Sequence, residues 1–198
     1  MIVNSIDTYD GDLLHHRFAY NFFRDKTLPI GNIIAFRAPM HVEADGMIDS
    51  EDIIKNEFIY SDDAINFLWE IPCLNDPFGA VAYQRLFNTN IANLLSTKYL
   101  DNAPIEVDGD DLIVHRDHNQ GGKPQSKGKC SVSITYVRDG VTLGHTGINI
   151  KAGEKAPSHA YSTNLDNMKS GQFMRDVVDM FYQINDDMFI ATTKTIVK

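Results

Sequence analysis

The stretch from residue 105 to residue 150 most constrains the fold, because its pattern has the two-residue period of β-strands. Three runs in it, residues 112–116, 129–137 and 141–150, read as strands. Asp139-Gly140, between the last two runs, is typical of a tight hairpin turn. The sequence therefore predicts three strands, of which the last two pair as an antiparallel hairpin.

Helix patterns lie on both sides of this β region. Asp76-Pro77 is a helix start signal, an acidic cap followed by proline at the first helical position. Apolar residues at helical spacing predict a last helix over residues 172–188 and a first helix over residues 13–23. This order predicts an α+β fold with a mainly antiparallel sheet and helices packed on one side.

Two further elements are predicted before the Asp76 start signal. Residues 33–36 form a short apolar run that ends near Pro39 and predicts a strand. Ser61 is a suitable N-cap, so the residues after it predict a helix that carries Ile65, Leu68 and Trp69. With 198 residues and no linker, the chain is expected to be one domain, residues 1–198.

Composition restricts where the chain works. It has no run of 18 apolar residues and no secretory signal at its start, so no membrane segment is expected. Cys73 and Cys130 are its two cysteines, and they are expected to be free thiols in a reducing compartment. A cytoplasmic location is therefore expected.

The charge is unevenly distributed. A net charge of −9 argues against a general polyanion binder, because affinity for phosphate comes from Lys and Arg. Residues 115–129 nevertheless carry four Lys or Arg and one Asp. This stretch reads either as a solvated hairpin loop or as a mobile basic loop that steers an anion to one place.

The strand that starts at Lys129 has a polar face. Strand alternation places Lys129, Ser131, Ser133 and Thr135 on one side and apolar residues on the other. Such a face either meets solvent or forms a polar floor beneath a ligand. A lysine in a partly closed pocket can bind a carbonyl, carboxylate or phosphate oxygen.

Other candidate residues carry charge or can move protons. Arg37 and Arg85 offer planar guanidinium forks, and Arg37 would otherwise pair with an acidic neighbour. Asp111 and His145 could exchange a proton with a substrate, although a lone strand histidine is more often structural. The cluster Asp49, Glu51 and Asp52 is read first as the start of a short helix, second as a metal site or as a carboxylate that orients an amine. His115-x-x-His118 is a weak zinc signal, and no metal site is predicted.

Three motifs together resemble the core strands of the biotin and lipoate ligase superfamily. They are Asp110-Asp111-Leu112-Ile113, Lys129-Cys130-Ser131-Val132-Ser133-Ile134 and Gly144-His145-Thr146-Gly147-Ile148-Asn149-Ile150. Four more segments resemble domain-of-unknown-function family 366, whose fold is similar to the biotin/lipoate protein ligase (class II synthetase-like) catalytic domain. They are Phe36-Arg37-Ala38-Pro39-Met40, Met47-Ile48-Asp49-Ser50-Glu51-Asp52, Phe58-Ile59-Tyr60-Ser61 and Gln84-Arg85-Leu86-Phe87.

The resemblance implies residue roles. In ligases of this kind the strand lysine, here Lys129, holds the carbonyl of an acyl-adenylate and its phosphate. The implied catalytic residues are Asp111, Lys129 and His145. The implied cofactor-binding residues are Arg37, Arg85, Ser131 and Ser133. Arg37-Ala38-Pro39-Met40 stands where biotin ligases have a Gly-Arg-Gly-Arg phosphate loop and has none of its glycines.

The resemblance also implies a function. Through family 366 it implies a transferase that modifies a 7-deazaguanine-type base of viral (bacteriophage) DNA or its precursor, by methyl transfer from S-adenosylmethionine to an amine. The first alternative is an ATP-dependent acyl-adenylate ligase, and the second is a nucleotide-binding module without catalysis. The expected partners are modified DNA or a nucleotide, with a homo-oligomer left open and no membrane.

Overall fold

A computed structural model describes residues 1–43, 45–115 and 127–194 of the chain. In these residues the α-helices are α1 Phe18–Phe23, α2 Ser50–Lys55, α3 Pro77–Leu94 and α4 Asn167–Thr192. The strands are β1 Asn32–Val42, β2 Ile59–Ile71, β3 Ile105–Asp108, β4 Asp111–His115, β5 Lys127–Lys129, β6 Ser131–Arg138 and β7 Val141–Lys151. A short 3₁₀ helix, Arg24–Lys26, follows α1, and a π-helical turn, Leu95–Tyr99, ends α3.

The larger sheet is antiparallel, with strand order β1-β2-β7-β6. Its β6–β7 hairpin turns at Asp139-Gly140, where both residues have positive φ, 50° and 79°. Positive φ at both central residues is what a two-residue hairpin turn requires. The predicted hairpin is therefore confirmed.

The smaller antiparallel sheet, β3-β4-β5, joins the larger one at Cys130. The Cys130 N–H donates to the Leu112 carbonyl, and the Cys130 carbonyl accepts from the Asn149 N–H. Bonds to both sheets hold this corner, so the single strand predicted for residues 129–137 is two strands. Lys129 is the last residue of β5 in the smaller sheet, and Ser131 is the first residue of β6 in the larger sheet.

Apolar residues cover both faces of the larger sheet. On one face α3 and α4 pack over a core that includes Ile33, Ile65, Phe67, Trp69, Phe87, Phe173 and Phe181. On the other face the N-terminal segment and α1 pack over Ile34, Phe36, Met40, Leu68 and Leu143. The α+β prediction with antiparallel pairing is confirmed. The two long helices share one face, while the N-terminal segment, the short α1 and the residues around α2 lie on the other.

Some local predictions were wrong. The residues after Ser61 belong to strand β2, not to a helix. Because β2 lies between β1 and β7 and both of its faces are buried, its apolar run lacks strand alternation and resembles a helix. Strand β1 continues through Pro39, which is tolerated because β1 is an edge strand and its register shifts there.

The helix start signals at Asp76 and Asp49 were confirmed, the one at Ser61 was wrong, and two helix lengths changed. Asp76 Oδ1 accepts from the Gly79 N–H at 2.6 Å and caps α3, as predicted. Asp49 caps α2 in the same way, with its Oδ1 2.8 Å from the Glu51 nitrogen. Helix α1 covers only the end of the predicted range, and α4 is longer than predicted at both ends.

Candidate active site

A cavity of about 290 Å³ lies on the face of the larger sheet that the N-terminal segment covers, beside β6 and the corner at Cys130. Apolar and aromatic residues form its floor, among them Tyr9, Val42, Met47, Ile59, Val132 and Ile134. Its rim holds charged residues of α2 and of the smaller sheet, among them Asp49, Asp52, Lys55, Asp110, Asp111 and Lys129. This volume is at the small end of the range for ligand sites, so it suits one small molecule.

Lys129 and Asp111 form an ion pair at this rim. Strands β4 and β5 are neighbours, and their pairing brings the Lys129 Nζ to 2.7 Å from the Asp111 Oδ1. Each side chain is 30% exposed. An ammonium has three donors, so this amine keeps two hydrogens for a ligand while Asp111 fixes its position. The structure thus brings together the two residues predicted from separate motifs.

Arg85 of helix α3 does not line the cavity but lies close to Asp110, which does. Its Nη1 donates to the Gln84 Oε1 at 2.6 Å, and its Nη2 lies 3.7 Å from the Asp110 Oδ1. Burial raises the pKa of Asp110, and the negative charge of Asp111 raises it further, while Arg85 and Lys129 oppose the shift. Arg85 therefore acts on the cavity through Asp110.

The predicted polar floor is covered by helix α3. The Ser131 hydroxyl accepts from the Leu112 N–H at 2.8 Å. The Ser133 hydroxyl accepts from the Gln84 Nε2 at 2.9 Å and donates to the His145 carbonyl at 3.0 Å. Ser133 still borders the cavity, but both hydroxyls point to the helical side of the sheet, where they hold β4, β6 and α3 together.

The sequence analysis gave no role to two members of this buried polar network, the side-chain amides of Gln84 and Asn88. The Thr146 hydroxyl donates to the Asn88 Oδ1 at 3.0 Å, and the Asn88 Nδ2 donates to the Asp110 carbonyl at 3.0 Å. Gln84 and Asn88 are four residues apart on α3, and both are buried. Two amides one turn apart on an otherwise apolar helix face were the available signal. The network fixes the position of the Asp110 backbone.

His145 lies under the cavity and is 1% exposed. Its ring stacks on Tyr9 with centroids 4.0 Å apart, and its Nε2 is 2.9 Å from the Asn66 Oδ1. The Asn66 Nδ2 donates to the carbonyls of Ala38 and Ala64, so its Oδ1 accepts and the His145 Nε2 carries the proton. Burial lowers the pKa of His145 to about 3. The neutral ring keeps an unprotonated Nδ1, which is a weak base.

Among the residues that the structure describes, negative charge exceeds positive charge around the cavity. Six described carboxylates line it, those of Asp49, Glu51, Asp52, Glu57, Asp110 and Asp111, and two described lysines, Lys55 and Lys129. Burial raises the pKa of Asp52, as do the charges of Asp49 and Glu57, while Lys129 and Lys55 oppose the shift. Such a rim favours ligand groups that donate hydrogen bonds or carry positive charge.

Arg37 lies on the opposite face of the sheet and is not part of this cavity. Its Nε donates to the Asp63 Oδ1 at 2.8 Å and its Nη2 to the Asp63 Oδ2 at 2.5 Å, while its Nη1 donates to the Asn167 Oδ1. This bidentate pair raises the pKa of Arg37. Arg37-Ala38-Pro39-Met40 is a paired segment of strand β1, so it does not form a cradle for the phosphates of ATP.

The other residues considered for metal binding, anion binding or nucleophilic chemistry do not line this cavity or lie outside the described residues. The His115 Nε2 lies 2.8 Å from the Glu106 Oε2, and Lys127 contacts the same carboxylate. His118 and the central part of the basic loop, residues 116–126, lie outside the described residues. In the described ranges no group of three or more His, Cys, Asp or Glu side chains is arranged so that it could hold a metal ion. Cys73 and Cys130 are free thiols, and burial raises the pKa of Cys130 to about 12.

A match to a family model covers almost the whole chain. The model of "Domain of unknown function (DUF366)" matches residues 1–196. The chain belongs to this family. No match to a protein of curated function was found. Among the helices of the described residues, none is long and apolar enough to cross a membrane.

Solved structures share the fold. A protein of unknown function from Pyrococcus horikoshi superposes with a TM-score of 0.82 and 22% identity, covering 100% of this chain and 97% of that one. LipL1 of P. falciparum in complex with lipoate superposes with a TM-score of 0.55 and 14% identity, covering 93% of this chain and 60% of LipL1. A bipartite lipoate protein ligase from Thermoplasma acidophilum gives a TM-score of 0.50 and 13% identity, covering 93% of this chain and 82% of that one. The predicted resemblance of family 366 to the lipoate ligase fold is confirmed.

Proposed function

We propose that the chain is an enzyme that binds a small carboxylic acid or its acyl derivative in this cavity and transfers the acyl group to an acceptor. One observation carries the proposal: the Lys129 Nζ, 2.7 Å from Asp111, stands at the mouth of a cavity with an apolar floor. A ligase-like fold supports this reading better than methyl transfer from S-adenosylmethionine.

Each residue of the site would have a distinct task. Two free N–H groups of Lys129 would donate to the carbonyl oxygen of an activated acyl donor and stabilise the negative charge that develops on it while an acceptor nucleophile attacks. The activating group would then leave with the electron pair of the broken acyl bond. Asp111 would hold the ammonium in place, and Arg85 would restrain Asp110 beside it. The apolar floor would receive the carbon chain and exclude water.

Binding of lipoate and octanoate, followed by calorimetry and thermal shift, tests this function. We expect Lys129→Met to weaken binding roughly tenfold or more, because a charge-assisted hydrogen bond is lost. Lys151→Met is the matched control, since Lys151 is an exposed lysine whose Nζ lies 3.6 Å from Asp62 and which does not line the cavity. Equal affinity of the two variants would place the acyl site elsewhere.

ATP–pyrophosphate exchange in the same samples identifies the acyl donor. We expect no exchange, because the segment at residues 37–40 is strand and Arg37 is bound to Asp63. The substrate would then arrive with its acyl group already activated. Exchange that disappears in Lys129→Met would instead make the enzyme an ATP-dependent ligase.

The acidic rim favours a second candidate, modification of a 7-deazaguanine-type base. The guanine edge of such a base presents several N–H donors, and six carboxylates line the cavity to accept them. A flat ring could also lie on the floor near the stacked Tyr9 and His145 rings. A base that carries an acyl or carboxyl group would contact both Lys129 and the carboxylates.

A further inference from the structure

Glu70 is a buried carboxylate that the site described above does not use. It lies near the end of strand β2, on the face covered by α1, and is 3% exposed. One hydrogen bond reaches it, from the Ala19 backbone N–H. Its Oε2 is covered from solvent and has no hydrogen-bond partner among the residues that the structure describes. A buried charged acceptor without a donor is unfavourable, so this oxygen lacks a donor that the described chain does not supply.

Glu70 lines a second cavity, of about 220 Å³. The two cavities have no lining residue in common. Apolar side chains form part of its wall, including Tyr20, Leu28, Pro72 and Val141. The size and the wall suit a ligand with a short hydrocarbon chain.

Arg17 supplies a positive charge to the same cavity. It precedes α1 in the left-handed conformation, with φ 59°, and its exposed side chain makes no ion pair with a described residue. Burial raises the pKa of the Glu70 carboxyl, while the Ala19 hydrogen bond and the positive charges of His16 and Arg17 oppose the shift. Among the described residues that line it, the cavity therefore presents one carboxyl group with an unpartnered oxygen and one guanidinium without an ion pair.

The polar side chain of Asn32, in the same wall, is already bonded. Its Oδ1 accepts from the Leu28 N–H at 2.7 Å, and its Nδ2 donates to the Leu28 carbonyl at 3.0 Å. These bonds fix the loop that carries Leu28 and Pro29. Glu70 and Arg17 are left as the charged groups that a ligand would meet.

We propose that this cavity binds a small zwitterion of the amino-acid type, with its ammonium beside the Glu70 carboxylate and its carboxylate on the Arg17 guanidinium. A simple amine would leave Arg17 unpaired, and a simple carboxylate would leave Glu70 unpaired. A molecule with both charges on one carbon and an apolar chain matches the acid, the base and the apolar wall together.

Three ligands that differ by one group test the proposal. Norleucine carries both charges, pentylamine lacks its carboxylate, and hexanoate lacks its ammonium. We expect norleucine to raise the melting temperature and to shift NMR signals of residues around Glu70, and the other two ligands to bind roughly tenfold more weakly or not at all. Equal binding of pentylamine and norleucine would overturn the zwitterion proposal.

Two variants identify the residues. Glu70→Gln and Arg17→Gln should each weaken norleucine binding roughly tenfold, as expected for loss of a charged partner. Lys26→Gln is the matched control, because Lys26 is an exposed cation close in sequence that does not line the cavity. If Glu70→Gln fails to fold, the exposed Arg17 still provides the test. Unchanged binding in Arg17→Gln overturns the proposal.

Discussion

His145 shows how burial decides what a titratable side chain can do. Its ring is enclosed by Tyr9 and Asn66, and burial lowers its pKa from the ordinary 6.5 to about 3. A histidine with such a pKa is neutral at physiological pH. It therefore acts there as a fixed, hydrogen-bonded wall of the cavity rather than as a strong proton acceptor.

The lowered pKa makes stability depend on pH. Below about pH 6.5 the unfolded chain protonates His145 before the folded chain does, so the free energy of unfolding should fall as the pH drops toward the folded pKa of about 3. One such group contributes up to about 1.4 kcal/mol per pH unit. In urea unfolding at several pH values, His145→Gln should lose that slope. His159→Gln, an exposed control, should keep it.

Arg37 is expected to support the fold rather than the chemistry. Arg37→Gln should lower the free energy of unfolding by about 1 kcal/mol, because it removes a partly buried bidentate ion pair with Asp63. Lipoate affinity should not change. Urea unfolding and calorimetry on the same variant separate the two effects, and loss of lipoate binding in a stable protein would return Arg37 to the site.

Gly144 in strand β7 leaves space for a large side chain of the neighbouring strand. At Gly144 an added Cβ would meet the Trp69 ring at 2.0 Å, a contact that no side chain can make. Trp69 is itself fixed by Tyr83 and Phe87 of helix α3. Gly144 therefore lets α3 and the sheet approach closely, which holds the Gln84–Ser133 bond under the cavity.

Two glycine substitutions should have opposite effects. Gly144→Ala should destabilise the chain by about 1–3 kcal/mol through overpacking against Trp69. Gly171→Ala, inside helix α4, should stabilise it by about 0.5–1 kcal/mol, since the new methyl meets only the Arg175 Nη1 at 3.7 Å. Thermal and urea unfolding give both signs. A neutral Gly144→Ala would show that the strand and the helix can move apart.

The charge of the molecule as a whole bears on which partners it can bind. The net charge is −9, and the cavity rim is itself acidic. Phosphate backbones are held by Lys and Arg, so these charges oppose tight binding of duplex DNA and permit binding of a small molecule that donates hydrogen bonds. This consideration favours a free nucleoside or base over a polymer as the substrate of the second candidate function.

A nucleoside pair tests that preference. We expect 7-deazaguanosine to raise the melting temperature more than 7-deazainosine, which lacks the exocyclic amine that the carboxylates would accept. Duplex DNA should not raise it, even at low salt. Equal effects of the two nucleosides would argue against recognition of the guanine edge, and salt-sensitive DNA binding would favour the polymer.

The sequence by itself determined the features that depend on neighbouring residues. Asp76-Pro77 and Asp139-Gly140 specify a helix start and a hairpin turn through their own hydrogen bonds and backbone angles, and both were predicted correctly. The long strand β7 and the helix α4 followed from apolar periodicity. Lys129 and Asp111 were each named as candidate site residues through the family resemblance, but their ion pair was not predicted.

Tertiary structure alone decided which side of the sheet each polar residue faces and what covers it. The alternation at Ser131 and Ser133 gave a polar face, but only the packing of α3 showed that this face is buried. Arg37 pairs with Asp63 because the register of the neighbouring strands β1 and β2 brings them together. The apolar run of β2 resembles a helix because its position between β1 and β7 buries both of its faces. These contacts join residues far apart in the chain, so no local pattern specifies them, and the acidic cavity arises where such contacts bring α2 to the corner at Cys130.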